Sequence, residues 1–203
     1  MKVVVVKYNA GNVQSVLFAL QRLGITASLS DNTEEILKAD KIIFPGVGEA
    51  SSAMKELSRT GLTAVLRQIK QPFLGICLGL QLMCRHSEEG DTNCLNIFEE
   101  DVKRFNPHEV KTPARSIPYK VPHTGWNTIN TLHGNLFKGI SENSYVYYVH
   151  SYYAETGQQT CATTGYINSF SAALMKDNYY AVQFHPEKSG ETGNQIIKNF
   201  LDL

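Results

Sequence analysis

Residues 72–81 read Pro-Phe-Leu-Gly-Ile-Cys-Leu-Gly-Leu-Gln. Pro72 to Ile76 is a short apolar run, the pattern of a strand covered on both faces. It passes directly into Gly75-Ile76-Cys77-Leu78-Gly79, a Gly-x-nucleophile-x-Gly sequence suited to a sharp strand-to-helix turn. Bulky neighbours would clash in such a turn, hence glycine on both sides. The turn pushes the Cys77 side chain out at the carboxyl end of the strand. A thiol there also meets a helix N-terminus, whose dipole and free N–H groups favour thiolate. The N–H of Leu78 then points where an oxyanion would form. A buried cysteine between two packing glycines is the other reading that this spacing leaves open.

Working outward, the first seventy residues alternate strand and helix patterns. Val3 to Val6 is a continuous apolar run. Val13, Val16, Leu17, Leu20 and Leu23 recur at helical spacing, with Asn12 as the cap and Gly24 as the stop. Ile25 to Leu29 alternates like a short strand. Asn32-Thr33-Glu34-Glu35 opens a second helix with Ile36 and Leu37 inward. Lys41 to Phe44 forms a third strand that ends at Pro45-Gly46, and helical spacing returns from Ala53 to Ile69. This rhythm implies βαβ units and a parallel sheet. From Leu95 to Phe184 the apolar runs are strand-like: Tyr145 to Val149, Ala172 to Met175 and Tyr179 to Phe184. Pro107, Pro113, Pro118 and Pro122 interrupt the middle. A last helix runs from Gly190 to Leu203, with Ile196, Ile197, Phe200 and Leu201 facing in. The expectation is one α/β domain over residues 1–203, with a mixed, mostly parallel sheet flanked by helices.

Composition narrows the function. Lys and Arg number 19 and Asp and Glu also 19, so the formal net charge is zero. That argues against a duplex-binding protein, which needs basic surface. No apolar run approaches the roughly 18 residues of a membrane span, and the start is too short and too soon charged for a signal peptide. The four cysteines, Cys77, Cys84, Cys94 and Cys161, are therefore expected as reduced thiols in the cytoplasm. None pairs with another at zinc-knuckle spacing, so no metal is expected. Gly46-Val47-Gly48 is too little for a dinucleotide fingerprint, and no phosphate-loop motif is present.

A cysteine nucleophile needs a base. Of six histidines, His185 stands out in Gln183-Phe184-His185-Pro186-Glu187. The residue before proline is biased toward extended backbone, where positions two apart point the same way. Glu187 can thus reach the His185 imidazole and fix its tautomer. A strand-end histidine beside a surface glutamate remains the alternative. Pro45-Gly46-Val47-Gly48 lies beside the strand that delivers Cys77. Its glycines let the Val47 peptide adopt orientations closed to other residues, so Val47 or Gly48 could supply a second oxyanion donor. A plain βα turn is the alternative.

Gly75-Ile76-Cys77-Leu78-Gly79-Leu80-Gln81 and Gln183-Phe184-His185-Pro186-Glu187 resemble the two signatures of the class I, triad-type glutamine amidotransferases. Tyr8-Asn9-Ala10-Gly11-Asn12, Pro45-Gly46-Val47-Gly48, Pro122-His123-Thr124-Gly125-Trp126-Asn127, Val149-His150-Ser151-Tyr152-Tyr153 and His185-Pro186-Glu187-Lys188-Ser189-Gly190 narrow the resemblance to the glutaminase subunits of imidazole glycerol phosphate synthases. Lys7 stands where that family usually has an acid, and Thr124 where methionine is common. The resemblance implies a flavodoxin-like amidotransferase fold without cofactor. It implies catalytic roles for Cys77, His185 and Glu187, with Leu78 and Val47 or Gly48 at the oxyanion. It implies that Gln81 and the backbone around His150, Ser151 and Tyr152 grip glutamine. Asn12, Trp126, in a glycine-rich loop, and Lys188 are implied at the face toward a partner, a (βα)8-barrel cyclase of histidine biosynthesis. Because these motifs use nearly the whole chain, no room remains for an acceptor-binding domain, and ammonia must pass to another chain. A paralogous glutaminase feeding another synthase, such as one for amino sugars, would carry nearly the same motifs.

Overall fold

The structure is a computed structural model describing residues 1–8, 13–109 and 119–203. Its first half runs β1 (Val3–Val6), α1 (Val13–Arg22), β2 (Ala27–Ser30), α2 (Thr33–Leu37), β3 (Lys41–Gly46), α3 (Ala50–Arg59), α4 (Leu62–Leu66), β4 (Phe73–Cys77) and α5 (Leu78–Met83). The second half adds β5 (His86–Ser87), β6 (Thr92–Asn93), β7 (Asp101–Arg104), β8 (His123–Ile129), β9 (Ser144–His150), β10 (Tyr152–Ala154), β11 (Thr160–Gly165), β12 (Ser169–Lys176), β13 (Tyr179–Val182) and α6 (Gly190–Leu201).

Seven strands form the main sheet in the order β11-β12-β13-β4-β3-β1-β2. From β2 through β13 neighbouring strands are parallel, while β12 and β11 are antiparallel. The apolar runs of β1, β3 and β4 are buried along their whole length because helices cover both faces. Their side chains alternate between two cores. Val4, Ile42 and Phe44 pack with Leu57 and Leu66 on one side. Val5, Ile43 and Ile76 pack with Leu20 and Phe200 on the other. In such sheets ligands bind at the carboxyl ends of the strands. Here Gly46 of β3 and Cys77 of β4 lie in register at that edge.

Several expectations are corrected. The helical run from Ala53 to Ile69 is two helices, because Gly61 takes φ 73° and caps α4 in the left-handed region. Ile36 is buried, but Leu37 is 44% exposed, since α2 has only one face toward the sheet. Asn32 caps α2 as expected, accepting from the Glu35 N–H at 3.0 Å. The strand expected from Tyr179 to Phe184 stops at Val182. Trp126 is not in a loop: it lies within β8, which pairs with β9 as an antiparallel ribbon. A separate four-stranded sheet, β10-β7-β5-β6, accompanies the main one. Asn12, Pro113 and Pro118 lie outside the described residues.

The sharp turn after β4 depends on how closely α5 lies against β3. A Cβ on Gly79 would overlap the Phe44 carbonyl oxygen, and one on Gly75 would meet Met83 and the Gly79 backbone. Gly79→Ala is therefore expected to destabilise by about 2 kcal/mol or more, a fall in Tm of roughly 5 °C. Gly165→Ala serves as the control, because a Cβ there meets nothing within 4 Å. Equal midpoints for the two variants would show that the close approach is not structurally required.

Candidate active site

Cys77 ends β4 with φ 54° and ψ −108°, a backbone conformation that side-chain-bearing residues rarely adopt. Strain of this kind costs about 1–3 kcal/mol and persists only where the surroundings enforce it. Here the enforcing groups are the buried β4, the two glycines of the elbow and the α5–β3 contact. The Cys77 sulfur faces the Val149 carbonyl oxygen at 3.9 Å and the Gln183 amide nitrogen at 3.7 Å. Cys84, Cys94 and Cys161 are buried, and burial raises all three thiols, Cys94 and Cys161 to about 12. They are poor nucleophiles at neutral pH.

His185 and Glu187 meet beside this elbow. Nδ1 of His185 pairs with Oε1 of Glu187 at 2.8 Å, and both side chains are almost fully buried. The contact arises differently from the expected extended segment. His185 is extended, but Pro186–Lys188 forms a 3-10 turn that folds Glu187 back onto the ring. The turn is held by Ser189, whose hydroxyl donates to the His185 carbonyl at 2.7 Å. Among the described residues, Nε2 of His185 and Oε2 of Glu187 are buried without a hydrogen-bond partner. With a carboxylate on Nδ1, the free position of a neutral ring is Nε2. That nitrogen falls short of a formed hydrogen bond to the thiol, although the sulfur is near enough to influence the ring. Burial opposes the charged imidazole, but Cys77 and Glu187 outweigh it and raise the pKa to about 10.

A cavity of about 390 Å³ opens at the elbow, toward the small end of ligand pockets. Cys77, Leu78 and Gln81 form its floor, with Val47 and Gly48 on one wall and His150, Ser151 and Tyr152 on another. Gly48 takes φ 116° with open space where a Cβ would sit, so it is needed for its backbone rather than for room. Tyr8 fixes the wall strand by donating its hydroxyl to the Pro45 carbonyl at 2.8 Å. The Gln81 amide donates to the Tyr152 carbonyl at 2.9 Å and to Oε1 of Gln183 at 3.1 Å.

Two lining or adjoining residues were not singled out from sequence. Gln183 is fully buried and joins Gln81 to the thiol. Its place one residue from Phe184 in the His185 motif was the available signal. Glu89 lies in a loop without a motif, yet it is the one charged residue among those lining the cavity. It accepts from the Ala50 N–H at 2.7 Å, and its pKa is raised by burial. By contrast, Trp126 and Lys188 are on the outer surface, Trp126 with 55% exposure, and touch no part of the cavity. No group of three His, Cys, Asp or Glu among the described residues could hold a metal ion.

Residues 4–203 match the family model of class-I glutamine amidotransferases. The imidazole glycerol phosphate synthase subunit HisH of Bacteroides thetaiotaomicron is 56% identical over the full length of both chains. Its namesake from Vibrio vulnificus is 42% identical, over 100% of this chain and 98% of that one. Among solved structures, a glutamine amidotransferase from Thermotoga maritima superposes with a TM-score of 0.62 at 14% identity, covering 100% of this chain and 83% of that one. The chain belongs to the class-I glutamine amidotransferases and has their fold.

The raised His185 value has a definite sign. The folded ring holds a proton that an unfolded chain releases above about pH 6.5, so this pairing stabilises fully below that pH. The contribution is lost as pH rises toward 10. Cys77→Ala removes one of the two raising partners, and the His185 pKa is expected to fall by at least one unit, roughly 1.4 kcal/mol. Nitrogen-15 titration of the imidazole measures it. An unchanged value would mean that thiol and ring are not coupled.

Proposed function

We propose that this chain, a class-I glutamine amidotransferase, is the glutaminase subunit of an imidazole glycerol phosphate synthase. The observation that carries the reading is the strained Cys77 beside a His185 whose Nδ1 is held by Glu187 and whose Nε2 is left open. The 56% identity to a protein named as such a subunit supports the assignment to histidine biosynthesis. Residues 1–203 act as one amidotransferase domain, in the cytoplasm. No helix among the described residues is long and apolar enough to cross a membrane.

The reaction follows from the groups in place. Glutamine enters the cavity with its α-ammonium toward Glu89 and its carboxylate toward backbone N–H groups of 151–152. Gln81 holds it from below. The Cys77 thiol gives its proton to Nε2 of His185, the sulfur attacks the side-chain amide carbon, and a C–S bond forms as the carbonyl electron pair moves onto oxygen. The oxyanion is received by the Leu78 N–H and by an N–H of the Val47-Gly48 wall. The C–N bond then breaks while His185 gives its Nε2 proton to the departing ammonia. A glutamyl thioester remains. Water attacks it as His185 takes a proton back, the C–S bond breaks, and glutamate leaves. Glu187 orients the ring and stabilises its charged form throughout.

Ammonia must then avoid solvent. The β8–β9 ribbon turns Trp126, Tyr145 and Val149 outward, and Trp126 meets Tyr147 edge-on with ring centroids 5.9 Å apart. This aromatic face, with Lys188 beside the triad turn, suits docking on the (βα)8-barrel cyclase that consumes the ammonia. Exposed aromatics clustered like this are what interface hot spots are made from. The histidine-pathway partner is distinguished from an amino-sugar synthase by which barrel stimulates glutamate release.

Cys77→Ala is expected to abolish glutamine-dependent synthesis in the complex while synthesis from added ammonium salts continues. Loss of both activities in an assembled complex would contradict the division of labour. Trp126→Ala should weaken the pair by roughly 2 kcal/mol, read as a dissociation constant, with the Tm of the isolated chain little changed. A large fall in Tm with intact affinity would place Trp126 in the core instead. Gly48→Pro, which removes the Gly48 N–H and forbids φ 116°, should slow glutamate release by the complex about a hundredfold or more. A variant that releases glutamate at the unmodified rate would count against the Val47-Gly48 wall as an oxyanion donor.

A further inference from the structure

Behind the glutamine pocket, on the inner face of the β8–β9 ribbon, two more histidines lie in contact. His123 and His150 face each other across the ribbon as a register pair. Nδ1 of His123 is 3.0 Å from Nε2 of His150, and both side chains are buried. Neither imidazole takes part in the proposed glutaminase steps, and among the described residues neither has an acidic partner. Aromatic rings enclose them. His123 is stacked between Tyr148 and Tyr166, with centroids 4.8 and 3.9 Å away, and Phe105 and Phe170 pack against His150.

The hydrogen bonds around the pair have only one consistent direction. The Thr128 N–H donates to Oδ1 of Asn127 at 2.8 Å, which fixes which end of that amide is oxygen. Nδ2 of Asn127 therefore faces the Gly165 carbonyl at 3.0 Å and Nε2 of His123 at 3.3 Å. An NH2 group cannot accept, so Nε2 of His123 must be the acceptor and its proton sits on Nδ1. That proton is donated to Nε2 of His150, whose own proton is left on Nδ1. From there it is donated to the Tyr152 carbonyl at 2.8 Å. The far end demands the same answer independently, because a carbonyl only accepts. Burial lowers His123 to about 4 and His150 to about 3, so both rings are neutral at physiological pH, as the scheme needs.

The Tyr152 carbonyl also receives the Gln81 amide at 2.9 Å. One oxygen on the pocket wall thus collects the end of the relay and the side chain on the pocket floor. We propose that Asn127, His123 and His150 form a one-way hydrogen-bond relay that positions the 150–152 backbone and Gln81 to grip glutamine. The inference rests on the glutaminase reading for its ligand, but not for its geometry. His123 and His150 are positioning residues: both nitrogens of each ring are committed to the relay, so His150 serves the pocket through its backbone and not its imidazole.

The test uses the full chain with its barrel partner. His123→Phe keeps the stacked ring and removes both nitrogens. His123→Asn places an amide donor near the former Nδ1. The relay predicts that His123→Phe raises KM for glutamine about tenfold, equivalent to about 1.4 kcal/mol, with kcat changed less than threefold. His123→Asn should recover most of that loss. Nitrogen-15 spectra of the unmodified chain should show the proton on Nδ1 in both rings, and His123→Phe should shift the Ser151 and Tyr152 amides. A proton on Nε2 of either ring overturns the relay whatever the kinetics show. So does an unchanged KM in a folded His123→Phe chain, or equal losses in the Phe and Asn variants. A chain inert toward glutamine, with both rings protonated on Nδ1, would instead overturn the glutaminase reading and take the pocket role down with it.

Discussion

The approach of α5 to β3 sets the rest of the site. The helix starts immediately after Cys77, and its second residue, Gly79, lies so near the Phe44 carbonyl that no side chain fits between them. Only in that position can β4 turn into α5 without a loop, and only then is Cys77 forced to φ 54°. The strain is sustained by the seven-stranded sheet, whose central strands are buried on both faces. A weaker core would relax the turn and withdraw the thiol. Fold stability and the placement of the Cys77 thiol are therefore one problem here.

The second organiser is β9. Its Tyr147 carbonyl accepts the His185 N–H at 2.9 Å, and its Tyr147 N–H donates to the Ser189 hydroxyl that closes the triad turn. Two residues on, the Val149 carbonyl faces the Cys77 sulfur. His150 ends the strand and enters the buried imidazole pair. The reverse face of the same strand carries Tyr145 and Val149 into solvent next to Trp126. One strand thus touches His185, Cys77, the cavity wall and the exposed aromatic face, and its backbone connects them. Three buried histidines also acquire opposite characters from their neighbours. His185 has a carboxylate and a thiol and is raised, while His123 and His150, with only neutral partners among the described residues, are lowered by burial.

What could be seen in the sequence was local and periodic. The continuous apolar runs of β1, β3 and β4, the cap at Asn32 and the elbow glycines each encode their structure within a few residues. Cys77 and His185 were legible because motif chemistry needs particular neighbours at particular spacings. The His185–Glu187 contact was legible but its cause was not, because a 3-10 turn and an extended segment can bring the same pair together. Glu89 was invisible, since its carboxylate is held at the cavity by a hydrogen bond accepted from the Ala50 N–H, 39 residues away in sequence. Trp126 looked like a loop residue because Gly125 suggests a break, yet the long β9 run opposite supplies a partner strand. The small four-stranded sheet is built from strands as short as two residues, too short to carry a period.

The proposed role of Cys77, a covalent glutamyl intermediate formed there while Cys84, Cys94 and Cys161 stay inert, is open to direct measurement. Acid-quenched turnover with glutamine, followed by peptide mass spectrometry, reads this directly. The account predicts a gain of one glutamyl group on the peptide carrying Cys77, abolished in Glu187→Ala only to the extent that turnover itself slows, and no gain on the other three cysteines. Steady glutamate release with no adduct at Cys77, or an adduct on any other cysteine, would contradict it.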